Sequence, residues 1–385
     1  MTPPLERYLI ERIESRGPMP FAAYMQLALY HPQLGYYASG GTRTGWNGDF
    51  VTSPELDPGF GQLWGRAFEE VWELCGAPAR FDVIEIGPGE GGFAASVLES
   101  LSGACAAALQ LRLIERVPQN EERQRRLLDR FANVSWHRSV AEAPATEAGC
   151  FFANEVLDNL PVHLVEARDG SLFEVCVTTD GRGLTTELRP PSNPELSRFL
   201  DRCGVELPDG HRFEVALAAE SLVAHAATRF QRGAWIFIDY GEEAADAARR
   251  PKGTLVSYSS GGADDLSLSR PGEKDLTAHA NWTSIRVAMT RARQIPIGPR
   301  PQREVLKNLG LDDLHTSLRE EFARASSDGE GAVALKALSR RQALGALADP
   351  AGLGGFGVMA GIRGIPAPSF IVAEREETGP KAGLS

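Results

Sequence analysis

Three glycines and two flanking acids carry the plainest chemistry in this sequence. Gly87, Gly89 and Gly91 recur at every second position of Gly87-Pro88-Gly89-Glu90-Gly91-Gly92. Such spacing lets a backbone turn tightly and lets a ligand come close to free N–H groups at a helix start. Glu85 stands two residues before the first glycine, and Glu115, followed by Arg116, closes the next apolar run. A carboxylate at a strand tip can accept hydrogen bonds from both hydroxyls of a ribose. Two nucleotide ligands fit. Gly87, Gly89 and Gly92 satisfy the G-x-G-x-x-G dinucleotide fingerprint with an acid farther along. Gly87, Gly89 and Gly91 equally satisfy the loop of enzymes that use S-adenosyl-L-methionine (SAM). Glu85 separates the two, because its charge attracts the amino group of SAM but is unfavourable beside a pyrophosphate. The local pattern therefore favours SAM, and a glycine-rich turn without a ligand is the plain alternative.

Three further clusters offer polar groups. Asn154-Glu155 and then Asp158, Asn159 and His163 follow the apolar run Cys150-Phe151-Phe152-Ala153. The plainer reading is that Asn154 caps a short helix and Pro161 ends it. Ser139 and Val140 follow a short run at Val134-Ser135-Trp136, a position at the carboxyl end of a strand where ligands bind in doubly wound sheets. Ahead of all these lies Gly48-Asp49-Phe50-Val51-Thr52-Ser53-Pro54-Glu55, an acid and hydroxyls in a glycine-rich loop. There, Thr52 or Ser53 could simply cap a helix that begins near Pro54.

Alternating strands and helices must position these groups. Apolar runs predict buried strands at 81–86, 109–114, 134–136, 150–153 and 234–241, with helices between them. Residues 3–30 read as two helices broken at Gly17-Pro18-Met19-Pro20, and an amphipathic helix runs through Phe60 and Trp64 to Leu74. From 164 to 188 the residues alternate as antiparallel strands, with turns at Asp169-Gly170 and Asp180-Gly181. Helix is predicted again from Phe213 to Phe230, from Asp275, from Gln302 to Leu309 and from Ala332 to Leu347, with late strands near Val358 and Phe370. The resulting division is an N-terminal helical extension with a loop over the active site (1–75), and a nucleotide-binding core in two parts (76–163 and 211–375). A β-rich insertion (164–210) separates the two parts. A mobile lid is expected at 242–300 and a flexible tail at 376–385.

Composition narrows the class. A chain of 385 residues can bury a large core, and a formal charge of −11 argues against a nucleic-acid binder, which normally shows a basic face. Its five cysteines show no C-x-x-C spacing, which points to reduced thiols and not to a disulfide framework or a zinc site. No apolar run approaches membrane-spanning length, and the N-terminal residues show neither a signal-peptide core nor a transit segment. The expectation is a cytoplasmic protein without nucleic-acid or membrane partners.

In order and spacing, several blocks resemble the MidA-type family of SAM-dependent methyltransferases. They are HPQLGYY at 31–37, GDFVTSPE at 48–55, EIGPGEGGF at 85–93, NEVLDNLPVH at 154–163, IDYGE at 238–242, RPGEKDLTAH at 270–279 and LGALADPAGLGGF at 344–356. Where that family usually reads G-P-G-R-G-T, this chain has Glu90 and Gly92, and its usual late Asp-Phe is Asn281-Trp282. The resemblance implies an α/β fold: a class I, Rossmann-like core with a seven-stranded, mostly parallel sheet, an N-terminal helical extension and an inserted β-rich subdomain. It implies SAM as cofactor, held by Glu85, Gly87, Pro88, Gly89, Gly91, Glu115, Arg116, Ser139, Val140 and Asn154, with no metal. Mitochondrial members are complex I assembly factors assigned as protein arginine methyltransferases, so a protein partner with an arginine acceptor is implied. Asp49, Glu155 and Asp158 are then the acids for catalysis. A small-molecule N- or O-methyltransferase and a non-catalytic assembly factor remain as alternatives. The oligomeric state is left open, a homodimer among the options.

Overall fold

A computed structural model describes residues 3–38, 56–259, 262–265 and 268–372. Its centre is a sheet of seven strands: β1 (Phe81–Ile86), β2 (Leu109–Ile114), β3 (Val134–His137), β4 (Thr146–Asn154), β5 (Phe230–Asp239), β6 (Ile295–Pro301) and β7 (Gly357–Arg363). The spatial order is β6-β7-β5-β4-β1-β2-β3. Strands β1 to β5 pair in parallel, and β7 runs antiparallel to both β5 and β6. Strand order reverses between β1 and β4, and in open α/β sheets the crevice at such a reversal is where ligands bind.

Period-two side chains explain why the runs in β4 and β5 are apolar throughout. Phe151, Ala153, Trp235 and Phe237 join the core on one face of the sheet. Cys150, Phe152, Ala234, Ile236 and Ile238 join the core on the other. Both faces are covered, so neither face of these strands keeps a polar side. Phe152 stacks flat on Phe93 with ring centroids 4.6 Å apart, and Trp64 meets it edge-on at 5.0 Å. These contacts tie helices Gly92–Ser100 and Gly59–Leu74 to the strand that ends at Asn154.

A second sheet is built from His163–Arg168, Ser171–Thr179, Leu184–Arg189 and Arg212–Val215. Asp169 and Gly170 both have positive φ, the backbone that a two-residue hairpin requires. The N-terminal extension is stitched to this sheet, since Met19 and Pro20 pair with Val177 and Cys176.

Several expectations are corrected. Residues 213–230 are not one helix: Arg212–Val215 pairs with His163–Arg168, and the helix is Leu217–Ala227. Phe213 and Val215 alternate inward, a pattern that a short window cannot separate from helix. The span 242–300 is not one long loop. It holds short strands at Val256–Ser259, Gly262–Asp265 and Asp275–Thr277, the helix Trp282–Arg291 and the start of β6. Asp275 therefore sits on a strand, and the helix starts later, where the Asn281 side chain accepts a hydrogen bond from the Ser284 N–H at 3.0 Å. An additional helix, Leu311–Ser327, packs against Gly331–Ala348. Phe370 is buried but not in a strand, and Pro366 and Pro368 precede it. The remaining edge strand is instead Ile295–Pro301, whose three prolines conceal it in the sequence and suit an edge position. All five cysteines are buried and free. No described helix is long and apolar enough to cross a membrane.

Candidate active site

The strand-to-helix turn after β1 has a backbone that only glycine adopts cheaply. Gly87, Gly89 and Gly91 have φ of +67°, +55° and +89°. A Cβ on Gly87 would lie 3.0 Å from Val156 Cγ2, and one on Gly91 would lie 3.2 Å from Gln124 Cγ. No described side chain caps the helix that follows. The turn borders a cleft of about 1500 Å³ at the carboxyl ends of the strands. Of the described residues expected to bind, Glu85, Gly87, Pro88, Gly89, Glu115, Arg116, Ser139, Val140 and Asn154 line it, and Gly91 lies behind the loop against Gln124.

Glu85 is buried, and its Oε2 finds no partner among the described residues. Burial, and then the nearby charge of Glu115, push its carboxyl up to about 8. Glu115 is also buried, but Val117 N–H donates to its Oε1 at 2.8 Å and Gln124 Nε2 to its Oε2 at 3.0 Å. Burial raises its pKa and these bonds oppose the rise. Each oxygen accepts one of these two bonds, and a carboxylate oxygen has room for a second. Asn154 caps no described helix: its Nδ2 donates to Glu155 Oε1 at 3.0 Å, while its Oδ1 is buried without a partner among the described residues.

At the other end of the cleft acids gather from separate segments. Glu155 has a φ of +54°, a left-handed backbone uncommon for a side chain of this size, and its N–H donates to Ile238 O at 2.9 Å. Asp239, fully buried, holds the next turn by accepting from the N–H groups of Leu157 at 2.8 Å and Asp158 at 3.2 Å. Tyr240 OH donates to Asp158 Oδ2 at 2.9 Å, and Asp158 Oδ1 is buried without a partner among the described residues. Burial raises the Asp158 carboxyl to about 6, with the Tyr240 bond opposing. Asp275 Oδ1 accepts from Asn159 Nδ2 at 3.0 Å, Leu276 N–H at 2.9 Å and Tyr37 OH at 3.4 Å. Burial and then the charge of Asp158 push it up to about 8. The single Tyr37 hydrogen is shared, with Asn159 Oδ1 the nearer acceptor at 2.9 Å, and the neighbouring ring of Tyr30 stacks on Tyr37 at 5.5 Å. Burial leads the shifts of Asp158, Asp239 and Asp275, and no described cation is among their largest causes.

Glu155 and Asp158, expected as catalytic acids, thus both line the cleft, whereas Asp49 lies outside the described residues, as do Thr52 and Ser53. The sequence assigned no role to Tyr30, Tyr37, Asn159, Tyr240 or Asp275, which line the same cleft, nor to Gln124 and Asp239 just behind it. Five of the seven carried a signal, since Tyr37, Asn159, Asp239, Tyr240 and Asp275 sit inside the blocks noted above.

Comparison with known proteins accords with this geometry. The family model for putative S-adenosyl-L-methionine-dependent methyltransferases matches residues 63–298. The chain is 28% identical over 341 residues to the mitochondrial protein arginine methyltransferase NDUFAF7 of Rattus norvegicus, covering 80% of this chain and 74% of that one. The Drosophila melanogaster homolog is 30% identical over 330 residues, covering 77% and 72%. A crystal structure of a superfamily member from Burkholderia thailandensis, bound to S-adenosyl-homocysteine, matches with a TM-score of 0.83 at 30% identity, covering 97% and 96%. The curated relatives are mitochondrial proteins, which overturns the expectation of a cytoplasmic protein.

The residues present fit the cofactor. Glu85 offers a buried, unpartnered oxygen to an ammonium, Glu115 keeps capacity for ribose hydroxyls, and the glycines put no Cβ between backbone and ligand. Cleft, sheet order and sequence match agree: the chain belongs to the S-adenosyl-L-methionine-dependent methyltransferases, with SAM as its cofactor.

Proposed function

We propose that this enzyme transfers a methyl group to a guanidinium nitrogen of an arginine in a protein partner. One observation carries the reading: Glu155, Asp158 and Asp275 line the cleft that also holds the glycine loop, and the two aspartates are buried with no described cation beside them. Burial keeps such carboxyls protonated, and a positive group arriving beside them favours their charged form. Guanidinium stays charged at all working pH and presents its donors as a planar fork that matches carboxylates. The curated relatives are named protein arginine methyltransferases, which supports the same acceptor.

When bound, the cofactor supplies an electrophilic methyl group on its sulfonium. The chain's own part is to orient and to move a proton. Asn154 holds Glu155, whose left-handed backbone is the kind of stored strain found at working sites. Asp239 fixes the turn that carries Asp158, and Tyr240 sets the angle of its carboxylate. Glu155 and Asp158 align the fork so that one nitrogen turns its lone pair toward the methyl. Asp158, whose carboxyl burial raises from its ordinary value, takes the proton that the methylated nitrogen sheds and passes it to solvent. Asp49 is a third candidate acid, and Asp49→Asn is expected to lower turnover by more than about tenfold.

The test incubates the enzyme with methyl-labelled SAM and a cell lysate, then hydrolyses the protein fraction. Label recovered as methylarginine is the expected result. Label confined to small molecules, or on protein side chains other than arginine, overturns the acceptor while leaving the cofactor assignment intact.

A further inference from the structure

We propose that Gln124 is a positioning residue for the cofactor, locking the glycine loop and the ribose-facing acid into one unit. It lies on the helix Pro118–Leu128, a charged surface helix in which only it and Leu128 are buried, and Gln124 is fully so. A fully buried amide on such a helix needs partners for its oxygen and both hydrogens, and here all are provided. Trp136 Nε1 donates to its Oε1 at 3.0 Å. Its Nε2 donates to Gly89 O at 2.7 Å and to Glu115 Oε2 at 3.0 Å.

The orientation of this amide is forced. An indole N–H can only donate, so the amide oxygen must face Trp136 and the NH₂ must face the carbonyl and the carboxylate. The NH₂ therefore spans the two halves of the cofactor site: the middle of the loop after β1 and the acid at the end of β2. Gln124 also backs Gly91, where an added Cβ would meet its Cγ at 3.2 Å. Touching the loop, the acid and the third strand, the side chain sets their separation. It does not line the cleft, so it acts through Gly89 and Glu115.

The test uses the full chain and titrates two probes by calorimetry. S-adenosylhomocysteine carries the whole cofactor skeleton, and 5′-deoxy-5′-methylthioadenosine carries adenine and ribose without the amino acid. Gln124→Glu keeps the shape and the acceptor for Trp136, but turns an oxygen toward Gly89 O and Glu115. Both probes are expected to weaken by the same factor, about tenfold or more, as for a lost hydrogen bond to a charged group. In a Glu115→Gln background the factor should shrink severalfold, because the amide installed at that position can then donate to the new carboxylate. Equal losses in both backgrounds, or affinities within about twofold of the parent with only the melting temperature lowered, overturn the proposal. Should Gln124→Glu fail to fold, Trp136→Phe removes the donor that fixes the amide. A weaker affinity for both probes then supports the proposal, and an unchanged one overturns it.

Discussion

The two ends of the cleft are built on different principles. The cofactor end is made of backbone: three glycines at positive φ and an uncapped helix start, with side chains in supporting positions. The end proposed to take the acceptor is made of side chains, drawn from residues 37, 154–159, 239–240 and 275, and its order rests on hydrogen bonds between residues more than a hundred positions apart. The difference shows in what each tolerates. Glu90 and Gly92 depart from the usual loop pattern, yet Glu90 is exposed enough to pair with Arg123 at 3.4 Å, and a Cβ at Gly92 would meet nothing within 4 Å. Neither position is held by packing that would demand a particular side chain. At the acceptor end each side chain is the partner of another, so a single exchange disturbs several contacts.

The largest expected effect tests the backbone end. Gly87→Val puts a β-branched side chain at a φ of +67° and into Val156, so calorimetry should detect no S-adenosylhomocysteine binding while circular dichroism stays that of the parent. Binding that survives would show that this end is less geometric than described. Next comes the side-chain end. Glu155→Gln keeps shape and removes charge, so methyl transfer to the lysate acceptor should fall by roughly 10²–10³ while S-adenosylhomocysteine affinity barely moves. Equal loss of both would merge the two ends into one.

A smaller effect separates them by pH. Asp158 and Asp275 rise from an ordinary 3.8 to about 6 and about 8 in the fold. Between those limits the folded chain keeps protons that the unfolded chain releases. Their contribution to stability is therefore full below pH about 4 and is lost as pH climbs toward about 8. Melting of the cofactor-free enzyme should drop over that range, and Asp275→Asn should flatten the drop and raise the midpoint at pH 8 by roughly 1–2 °C. A pH profile identical to the parent's would remove Asp275 from the cluster. The least effect belongs to Asn281→Ala, which should cost about 1 kcal/mol by uncapping Trp282–Arg291. No change in denaturant midpoint would leave the exchange of Asp for Asn there without a structural role.

By itself the sequence determined the local things: which runs are strands in a sheet buried on both faces, where the glycine turn breaks, and which acids end β1 and β2. Those follow from periodicity and from φ values that few residues can adopt, properties of short windows. Glu85, Glu115, Glu155 and Asp158 were legible because each sits next to such a window. The contacts of Tyr37, Asp239, Asp275 and Gln124 were not, since nothing near them in the chain says what they touch. Ile295–Pro301 stayed hidden because its prolines contradict a strand until the sheet supplies an edge. Tertiary structure alone decided that Asp275 meets Asn159 across 116 positions, and that Tyr37 reaches both. Burial makes those meetings consequential: out of water, a carboxylate depends on whatever donor or charge the fold has placed within reach.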